Sequence, residues 1–300
     1  MLPYETYLTP ISSGVAEDGT FLLSGNAELR AAAEDCRAAV ILHVSFRTES
    51  GLPSRRRAAS FLRSGEQQQN FLRSAVWNLR QGSFYALTVA FPALPTEYGE
   101  ACVSFLRTPT KELNPPGWPV LASFAPQGDG GLFAGGADCL SVGEAVNAVL
   151  LPCGWHSPCG EPAAAAPLPA VRRSLDRAAA GIKRSKIFLT LPLFGCDRTL
   201  PHGEGAAGRR MISQAEAVAL ARARGAEIQY DEEAQSPYFT YSARSGKKHI
   251  VFFEDARSMR AKLALVQEYN LQGVNLWNLN RPFPSLWPLL DSCCRIETLL

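Results

Sequence analysis

Short apolar runs alternate with amphipathic stretches along most of the chain, and this pattern predicts strands and helices in turn. Several runs are apolar at nearly every position, which is typical of strands buried on both faces of a parallel sheet. Residues 227–254 interrupt the alternation and predict three short antiparallel strands instead. The predicted strands of the alternating pattern are residues 7–12, 39–45, 84–91, 119–125, 147–151, 186–194, 249–253 and 273–279.

Helical periodicity occupies the stretches between the apolar runs. Ser213 and Glu216 have the spacing of a capping box, and Gly225 is a typical residue just after a helix end. Apolar residues three and four positions apart predict further helices at about 167–180 and 255–270. Because strands and helices alternate over the whole chain, we predict an α/β fold with a parallel sheet.

Composition and charge exclude several classes of protein. Of the 300 residues 46% are apolar, and 30 Lys and Arg against 28 Asp and Glu give a net charge of +2. This balance argues against a disordered chain, and it provides no basic excess for binding nucleic acid. No apolar run approaches the roughly 20 residues that cross a bilayer, so we expect no membrane association. The first residues lack the charged and apolar regions of a signal peptide.

The cysteines give little indication of a metal site. The chain has eight cysteines, too few for a disulfide scaffold of this length. Cys153, His156 and Cys159 have the residue types and spacing of zinc ligands, but a fourth ligand is absent locally, although Cys139 or Cys196 could supply it. Buried thiols and a loop histidine are the favoured explanation of the cluster. No glycine-rich phosphate-binding motif follows a predicted strand, so we predict no metal and no cofactor.

The last third of the chain resembles glycoside hydrolase family 18. Lys186-Ile-Phe-Leu-Thr-Leu-Pro-Leu-Phe-Gly195 resembles the seventh barrel strand of that family, and residues 229–241, 253–258 and 271–277 resemble the insertion, helix and strand that follow. The closest resemblance is to the branch of spore-cortex germination glycosidases, which cleave N-acetylglucosaminyl bonds in peptidoglycan. A weaker, collinear resemblance extends over about residues 3–290, with residues 7–12 similar to the second strand.

The resemblance implies a TIM-type (β/α)8 barrel, with residues 1–300 forming a single domain and residues 227–254 a small β insertion before the last helix and strand. The first strand of the barrel is missing or replaced, because residues 7–12 correspond to the second strand. A barrel of seven strands leaves two unpaired edges. Either the chain starts further upstream, or another element closes the seam.

The resemblance also implies a set of acids that this chain lacks. In the family a glutamate on strand four protonates the leaving oxygen, and an aspartate two residues earlier orients the substrate's acetamido group in a DxxDxDxE signature. No Asp or Glu occurs between residues 82 and 95 of this chain. The family tyrosine and acid on strand six are replaced as well. The corresponding positions carry Tyr85, Thr88, Ala90 and Pro92 on strand four, and Cys153 and Gly154 on strand six.

Several aromatic and acidic residues remain where the family builds its cleft. Trp277 matches the tryptophan on which the sugar ring stacks, and a core aromatic is the alternative interpretation. Trp155 lies in the loop after strand six, and Asp197 matches an aspartate that follows strand seven and could merely cap a loop. Asp231 and Tyr238 lie in the insertion that walls the cleft in the family, where a solvated turn and a packed aromatic are the alternatives.

Other residues invite simpler interpretations. His43 lies within an apolar strand and is expected to be a hydrogen-bonded core histidine. Arg55, Arg56 and Arg57 are expected to form a solvated helix start, since three charges are too few for a nucleic-acid or membrane surface.

We therefore predict a non-catalytic relative of these glycosidases that binds a glycan or acts as a scaffold. Its expected partner is an N-acetylglucosamine-containing glycan or peptidoglycan, and the resemblance implies the mother-cell cytoplasm or the spore envelope. The oligomeric state is left open. Two alternatives remain: a structural coat protein without a ligand, and an active glycosidase with a displaced acid, for which Glu161, Glu232 and Glu254 are candidates.

Overall fold

The predicted strands assemble into two sheets in a computed structural model. The structure describes residues 4–11, 13–22, 31, 33, 35, 37–48, 51–125, 133, 136–152, 164–200, 209–281 and 283–297. The strands are β1 Tyr7–Leu8, β2 Ser13–Val15, β3 Phe21–Leu22, β4 Ala39–Ser45, β5 Ala86–Phe91, β6 Val120–Phe124, β7 Ala148–Pro152, β8 Ile187–Pro192, β9 Gly195–Leu200, β10 Arg209–Ile212, β11 Gln229–Asp231, β12 Ser236–Ser242, β13 Lys248–Phe252 and β14 Gly273–Trp277.

Helices lie between most of the strands of the first sheet. The three predicted helices are confirmed within a few residues at each end, and Ser213 and Glu216 form the predicted capping box. Gly225 ends its helix with a φ of 61°, in the left-handed region that favours glycine. The helices are α1 Arg55–Arg63, α2 Gly65–Gly82, α3 Gly99–Leu113, α4 Cys139–Ala145, α5 Leu168–Ala179, α6 Gln214–Arg224, α7 Ala256–Glu268 and α8 Leu286–Cys293.

The larger sheet has the parallel order of a TIM-type barrel. Its strands follow the order β14-β8-β7-β6-β5-β4-β2-β3, and every neighbouring pair from β14 to β4 is parallel. The predicted first strand is wrong in one respect: residues 7–12 do not form a continuous strand. They form β1, which is followed after a break by β2, and both pair in parallel with β4. Pro10 lies in the break and has no N–H to donate to a strand ladder.

Side chains alternate between the two faces of the barrel strands. On β5, Leu87, Val89 and Phe91 belong to the large cluster that packs against the helices, whereas Ala86 belongs to a separate interior cluster with Ile41 of β4. Thr88 and Ala90 therefore point into the barrel. The interior becomes polar toward the carboxyl ends of the strands, where Asn275 donates a hydrogen bond to Thr190 at 3.1 Å.

The seam of the barrel lies between β14 and the β1–β2 segment. Among the described strands, β14 and β1 form no backbone pairing with each other. Aromatic packing spans this gap instead, since the Tyr4 ring stacks on Trp287 of α8 at 5.9 Å. The Tyr7 ring lies 5.4 Å from Tyr85 and 6.1 Å from Phe188, so aromatic rings fill the amino end of the barrel. Side chains, rather than a further strand, make the contacts between the two edges.

The second sheet follows the carboxyl end of β8 and is antiparallel, in the order β10-β9-β13-β12-β11. It takes in residues 195–212 as well as the predicted segment 227–254. Helix α6 covers one face of it, where Ala217 and Ala221 pack with Phe239 and Val251. Among the described residues, no helix is both long and apolar enough to span a membrane.

Candidate functional site

The carboxyl ends of the parallel strands meet at one mouth of the barrel, which is where enzymes of this architecture place their reactive groups. On β5 the interior residue nearest this mouth is Ala90, which is half-buried, and Pro92 follows just beyond the strand. Thr88 lies one interior position deeper and is completely buried. The end of β5 therefore presents a methyl group and a proline ring at the mouth.

Tyr85 lies at the opposite end of β5. Its backbone N–H donates a hydrogen bond to the Val40 carbonyl at 2.8 Å, and its ring packs on Tyr7. The four residues that correspond to the family's strand-four signature thus lie at different depths. Tyr85 helps to fill the amino end of the barrel, Thr88 lies in the interior, and Ala90 and Pro92 lie at the mouth.

Strand β4 contributes polar groups to the mouth that the sequence interpretation missed. Ile41 faces the barrel interior, so His43 and Ser45 face it too, and the Nε of Arg47 just beyond the strand donates a hydrogen bond to the Ser45 Oγ at 2.8 Å. Ser45 is in register with Ala90 of β5. Continuing the alternation of β4 beyond the strand end would have indicated that Arg47 lies at the mouth.

His43 is buried, as expected for a core histidine. Its Nδ1 has no partner among the described residues. Thr88, its register partner on β5, also has a buried hydroxyl oxygen without a partner in the described part of the chain.

Trp277 is the last residue of β14 and is half-buried. It pairs with Pro192 of β8, and its carbonyl accepts a hydrogen bond of 2.7 Å from the Leu193 N–H. Val274 and Leu276 pack toward the helices, so Trp277 lies on the interior face of the strand at the mouth. This is the location that a platform for a sugar ring requires.

Asp197 lies within the second sheet, on the face that α6 covers. Its carboxylate accepts hydrogen bonds of 2.8 Å from the Tyr241 hydroxyl and from the His249 Nδ1, and Arg210 approaches to 3.9 Å. Burial and the neighbouring Asp197 raise the pKa of Tyr241 to about 12, so its hydroxyl stays protonated. Both oxygens of Asp197 are already engaged inside the protein.

Asp231 and Tyr238 lie in the second sheet as well. One oxygen of Asp231 accepts hydrogen bonds from the N–H groups of Glu233 and Ala234, at 3.0 and 2.8 Å, and so fixes the turn between β11 and β12. The Tyr238 ring is half-buried and stacks on Phe252 at 5.3 Å. Both residues therefore have structural contacts. The second oxygen of Asp231 takes no part in the two hydrogen bonds of the turn, and the Tyr238 ring remains partly exposed.

The loop after β7 falls outside the described residues, and with it the predicted ligand-binding Trp155 and the candidate displaced acid Glu161. The strand-six positions Cys153 and Gly154 and the residues of zinc-ligand type, Cys153, His156 and Cys159, also fall there. In the described part of the chain, no three His, Cys, Asp or Glu side chains come together as metal ligands.

Two of the candidate displaced acids are described. Glu232 is exposed, and both of its oxygens accept hydrogen bonds of 2.7 Å from Arg257. Glu254 is buried, and it accepts hydrogen bonds from Lys262, which is completely buried, and from the Ser258 hydroxyl. Burial raises the pKa of Glu254, and the Lys262 charge opposes this effect. Lys262 lies within the apolar stripe of α7, and a charged residue in such a stripe is the signal that could have indicated a buried ion pair.

Comparison with known proteins agrees with this architecture. Residues 147–281 match the model of the glycosyl hydrolases family 18. The chain is 30% identical over 293 residues to the cortical fragment-lytic enzyme of Bacillus subtilis, an alignment that covers 96% of this chain and 68% of that enzyme. The chain belongs to glycosyl hydrolase family 18. The family assignment and the TIM-type barrel predicted from the sequence are both confirmed.

Solved structures of family 18 relatives have the same fold. The spore cortex-lytic enzyme SleL of Bacillus cereus superposes with a TM-score of 0.90 at 28% identity, covering 99% of this chain and 69% of that one. A chitinase from Chromobacterium violaceum superposes with a TM-score of 0.86 at 21% identity, covering 95% and 90% of the two chains, and this likeness concerns the fold.

The buried ion pair of Glu254 and Lys262 predicts that removing one charge destabilises the protein far more than removing both. Lys262→Met leaves the Glu254 carboxylate buried without its cation, so we expect a loss of about 3–5 kcal/mol in the free energy of unfolding. Glu254→Gln combined with Lys262→Met removes both charges and recovers most of that loss. Urea unfolding at pH 7 measures both variants, and a single substitution that costs less than about 1 kcal/mol would contradict the pairing.

His43 predicts an acid-sensitive contribution to stability. Burial, assisted by the Arg47 charge, lowers the pKa of His43 from 6.5 to about 4. The unfolded chain therefore binds a proton between these two pH values that the folded chain does not, and the free energy of unfolding falls by up to about 3 kcal/mol as pH drops from 6.5 to 4. His43→Gln is expected to show a flatter profile in urea unfolding over this window. If the free energy of unfolding depends on pH in the same way in wild type and in His43→Gln, the predicted contribution of His43 is refuted.

Proposed function

We propose that this family 18 domain binds an N-acetylglucosaminyl glycan without hydrolysing it. The observation that carries the proposal is the end of β5, where Ala90 and Pro92 lie at the mouth. By the sequence resemblance these two residues correspond to the family's assisting aspartate and catalytic glutamate. Neither side chain has a proton to donate or a charge to orient an acetamido group. Loss of general acid catalysis alone typically reduces a rate by about 10²–10⁴-fold.

The described displaced acids do not compensate for this loss. Glu254 is sealed from solvent and paired with Lys262, so a substrate has no access to it. Glu232 is held by Arg257 on an exposed turn, and a general acid needs to lie within hydrogen-bond distance of the leaving oxygen in a closed site. Both residues are more consistent with structural roles.

Binding is supported by the retained aromatic group at the mouth. Trp277 offers a half-buried ring on the interior face of β14. A tryptophan is a typical anchor of binding energy because its large apolar ring carries a polar N–H. Trp155 belongs to the same proposed site. Asp197, Asp231 and Tyr238 would act in the wall of the cleft, where their internal contacts hold the second sheet in shape.

The relatives suggest the source of the glycan. Two relatives that align with 96% and 99% of this chain are named a cortical fragment-lytic enzyme and a spore cortex-lytic enzyme. A further relative, which aligns with 51% of this chain, is named a putative sporulation-specific glycosylase of Bacillus subtilis. We therefore infer that the ligand is a peptidoglycan of the spore cortex, and that the protein acts in the spore envelope.

The absence of hydrolysis is directly testable. The wild-type protein is expected to release no fluorophore from 4-methylumbelliferyl N-acetylglucosaminide, and no reducing ends from cortex fragments, above the rate of a blank without protein. Turnover that Glu161→Gln or Glu232→Gln abolishes would instead establish an enzyme with a displaced acid.

Binding predicts a specific role for Trp277. Trp277→Ala is expected to weaken the binding of N-acetylglucosamine oligomers by at least 10-fold in isothermal titration calorimetry, since truncating a central tryptophan costs about 2 kcal/mol or more. The matched control is Trp77→Ala, because Trp77 is 62% exposed on α2 and lies outside the mouth. Equal affinity of both variants and wild type would refute the role of Trp277. The absence of any binding by the wild type would favour a structural coat protein.

A further inference from the structure

Two cysteines follow each other in the chain at the end of helix α8. Cys293 is the last residue of the helix and Cys294 comes directly after it, and both are free thiols. Each is half-buried and packs against the apolar core, while Ser292 and Arg295 on either side are exposed. The pair therefore lies at the surface of the protein, within reach of a small reagent in solution.

The other described cysteines differ from this pair. Cys102 is completely buried, and burial raises its pKa to about 12, so its thiol stays protonated and unreactive. Cys196 is buried as well. Cys139 is half-buried, but no cysteine adjoins it in the sequence. Within the described part of the chain, two thiols that are both adjacent and partly exposed occur only at the end of α8.

Backbone hydrogen bonds define the conformation of the pair. The Cys294 N–H donates a hydrogen bond of 2.8 Å to the Leu290 carbonyl and so closes the last turn of α8. The Cys293 carbonyl accepts one of 3.3 Å from the Gln267 side chain, near the end of α7. Helix α7 leads into the amino end of β14, so the pair lies at the end of the barrel opposite the mouth.

The two thiols affect each other's chemistry. Burial raises the pKa of Cys294, and the neighbouring Cys293 thiol raises it further. Because the thiolate is the nucleophile in thiol–disulfide exchange, a thiol that is held protonated is the weaker first attacker. We therefore assign the first attack on a disulfide to Cys293 and the second to Cys294.

We propose that Cys293 and Cys294 form a reversible redox site, which a low-molecular-weight disulfide oxidises to a disulfide between the two neighbours. The Cys293 thiolate attacks the reagent, breaks its S–S bond and displaces one thiolate, which takes up the proton that Cys293 has lost. Cys294 then loses its proton, attacks the sulfur of Cys293 and displaces the second thiolate, which takes up that proton. The protein loses two electrons and two protons, and the reagent gains both. This site is independent of glycan binding.

The disulfide of the pair is strained and therefore easily reduced. Neighbouring Cα atoms are about 3.8 Å apart, whereas a disulfide usually joins Cα atoms about 4.4–6.8 Å apart. Closure moves the backbone and breaks the hydrogen bond from Cys294 to Leu290. Strained disulfides are the labile and regulatory ones. Oxidation thus loosens the end of the helix whose Trp287 stacks on Tyr4 across the seam of the barrel.

Peptide mass spectrometry tests the inference on the whole chain. Wild-type protein is incubated with oxidised glutathione, the remaining thiols are alkylated, and the peptide that contains both cysteines is analysed. This peptide is expected to have lost two hydrogen atoms and to carry neither an alkyl group nor glutathione. An excess of reduced glutathione is expected to restore two thiols that can be alkylated. The melting temperature of the oxidised protein is expected to fall by about 2 °C, because a hydrogen bond at the helix end is lost.

Two variants show whether both thiols are needed. Cys294→Ser is expected to stop the reaction after the first step, so that Cys293 keeps glutathione as a mixed disulfide. Cys139→Ser is the matched control, because it removes a half-buried thiol from α4 and is expected to leave the disulfide of the pair unchanged. If Cys294→Ser fails to fold, Cys294→Ala replaces it with the same expected result.

Three results would overturn the redox site: two alkylated thiols in the oxidised wild-type peptide, glutathione retained on that peptide, or a disulfide from the pair to another cysteine of the same or a second chain. An unchanged melting temperature of the oxidised protein would refute the loosening of α8. None of these results affects the binding test on Trp277→Ala, so the redox site and the proposed function fail separately.

Discussion

The alternation of side chains along parallel strands is the constraint on which the rest of this structure depends. Each barrel strand turns one set of side chains toward the helices and the other set toward the barrel interior. The last interior residue of every strand therefore faces the common mouth. Three strands show the consequence, since β4 leads to Arg47, β5 to Ala90 and β14 to Trp277.

This alternation also makes the helical layer independent of the residues that face the mouth. Leu87, Val89 and Phe91 supply the contacts of β5 with the helices, and they are independent of what occupies positions 88, 90 and 92. The helical layer therefore imposes no requirement for acids at the mouth. Fold and site chemistry can therefore vary separately, in the general sense that function belongs to sites rather than to architectures.

The second sheet is held by polar contacts as much as by its small apolar core. The carboxylate of Asp197 joins β9 to β12 and β13 through Tyr241 and His249. Lys262 of α7 joins the barrel to this sheet, since its Nζ donates both to Glu254 and to the Gln235 carbonyl, at 3.2 Å for the latter. Asp197, a residue predicted to contact a ligand, thus also stabilises the second sheet.

Much of the candidate site could be predicted from the sequence, because the register of β5 follows from its apolar residues. The absence of acids between residues 82 and 95 is a property of the chain itself. The environment of each remaining acid could not be predicted in the same way. Glu232 and Glu254 look alike in sequence, yet one pairs with an exposed arginine and the other with a buried lysine that lies eight positions further along the chain.

The sequence by itself determined the α/β class and the absence of acids between residues 82 and 95, since strand and helix patterns, helix caps and residue identity are local properties, and the resemblance to family 18 added the barrel. Only the tertiary structure decided what lies at the mouth. Arg47 is an ordinary charged residue beyond a strand until Ser45, Ala90 and Arg57 are brought around it from three different elements. The same holds for His43, because the neighbouring strands determine that its Nδ1 has no partner among the described residues. The burial of a side chain and its hydrogen-bond partners depend on residues that are distant in the chain. A local sequence pattern therefore cannot predict them.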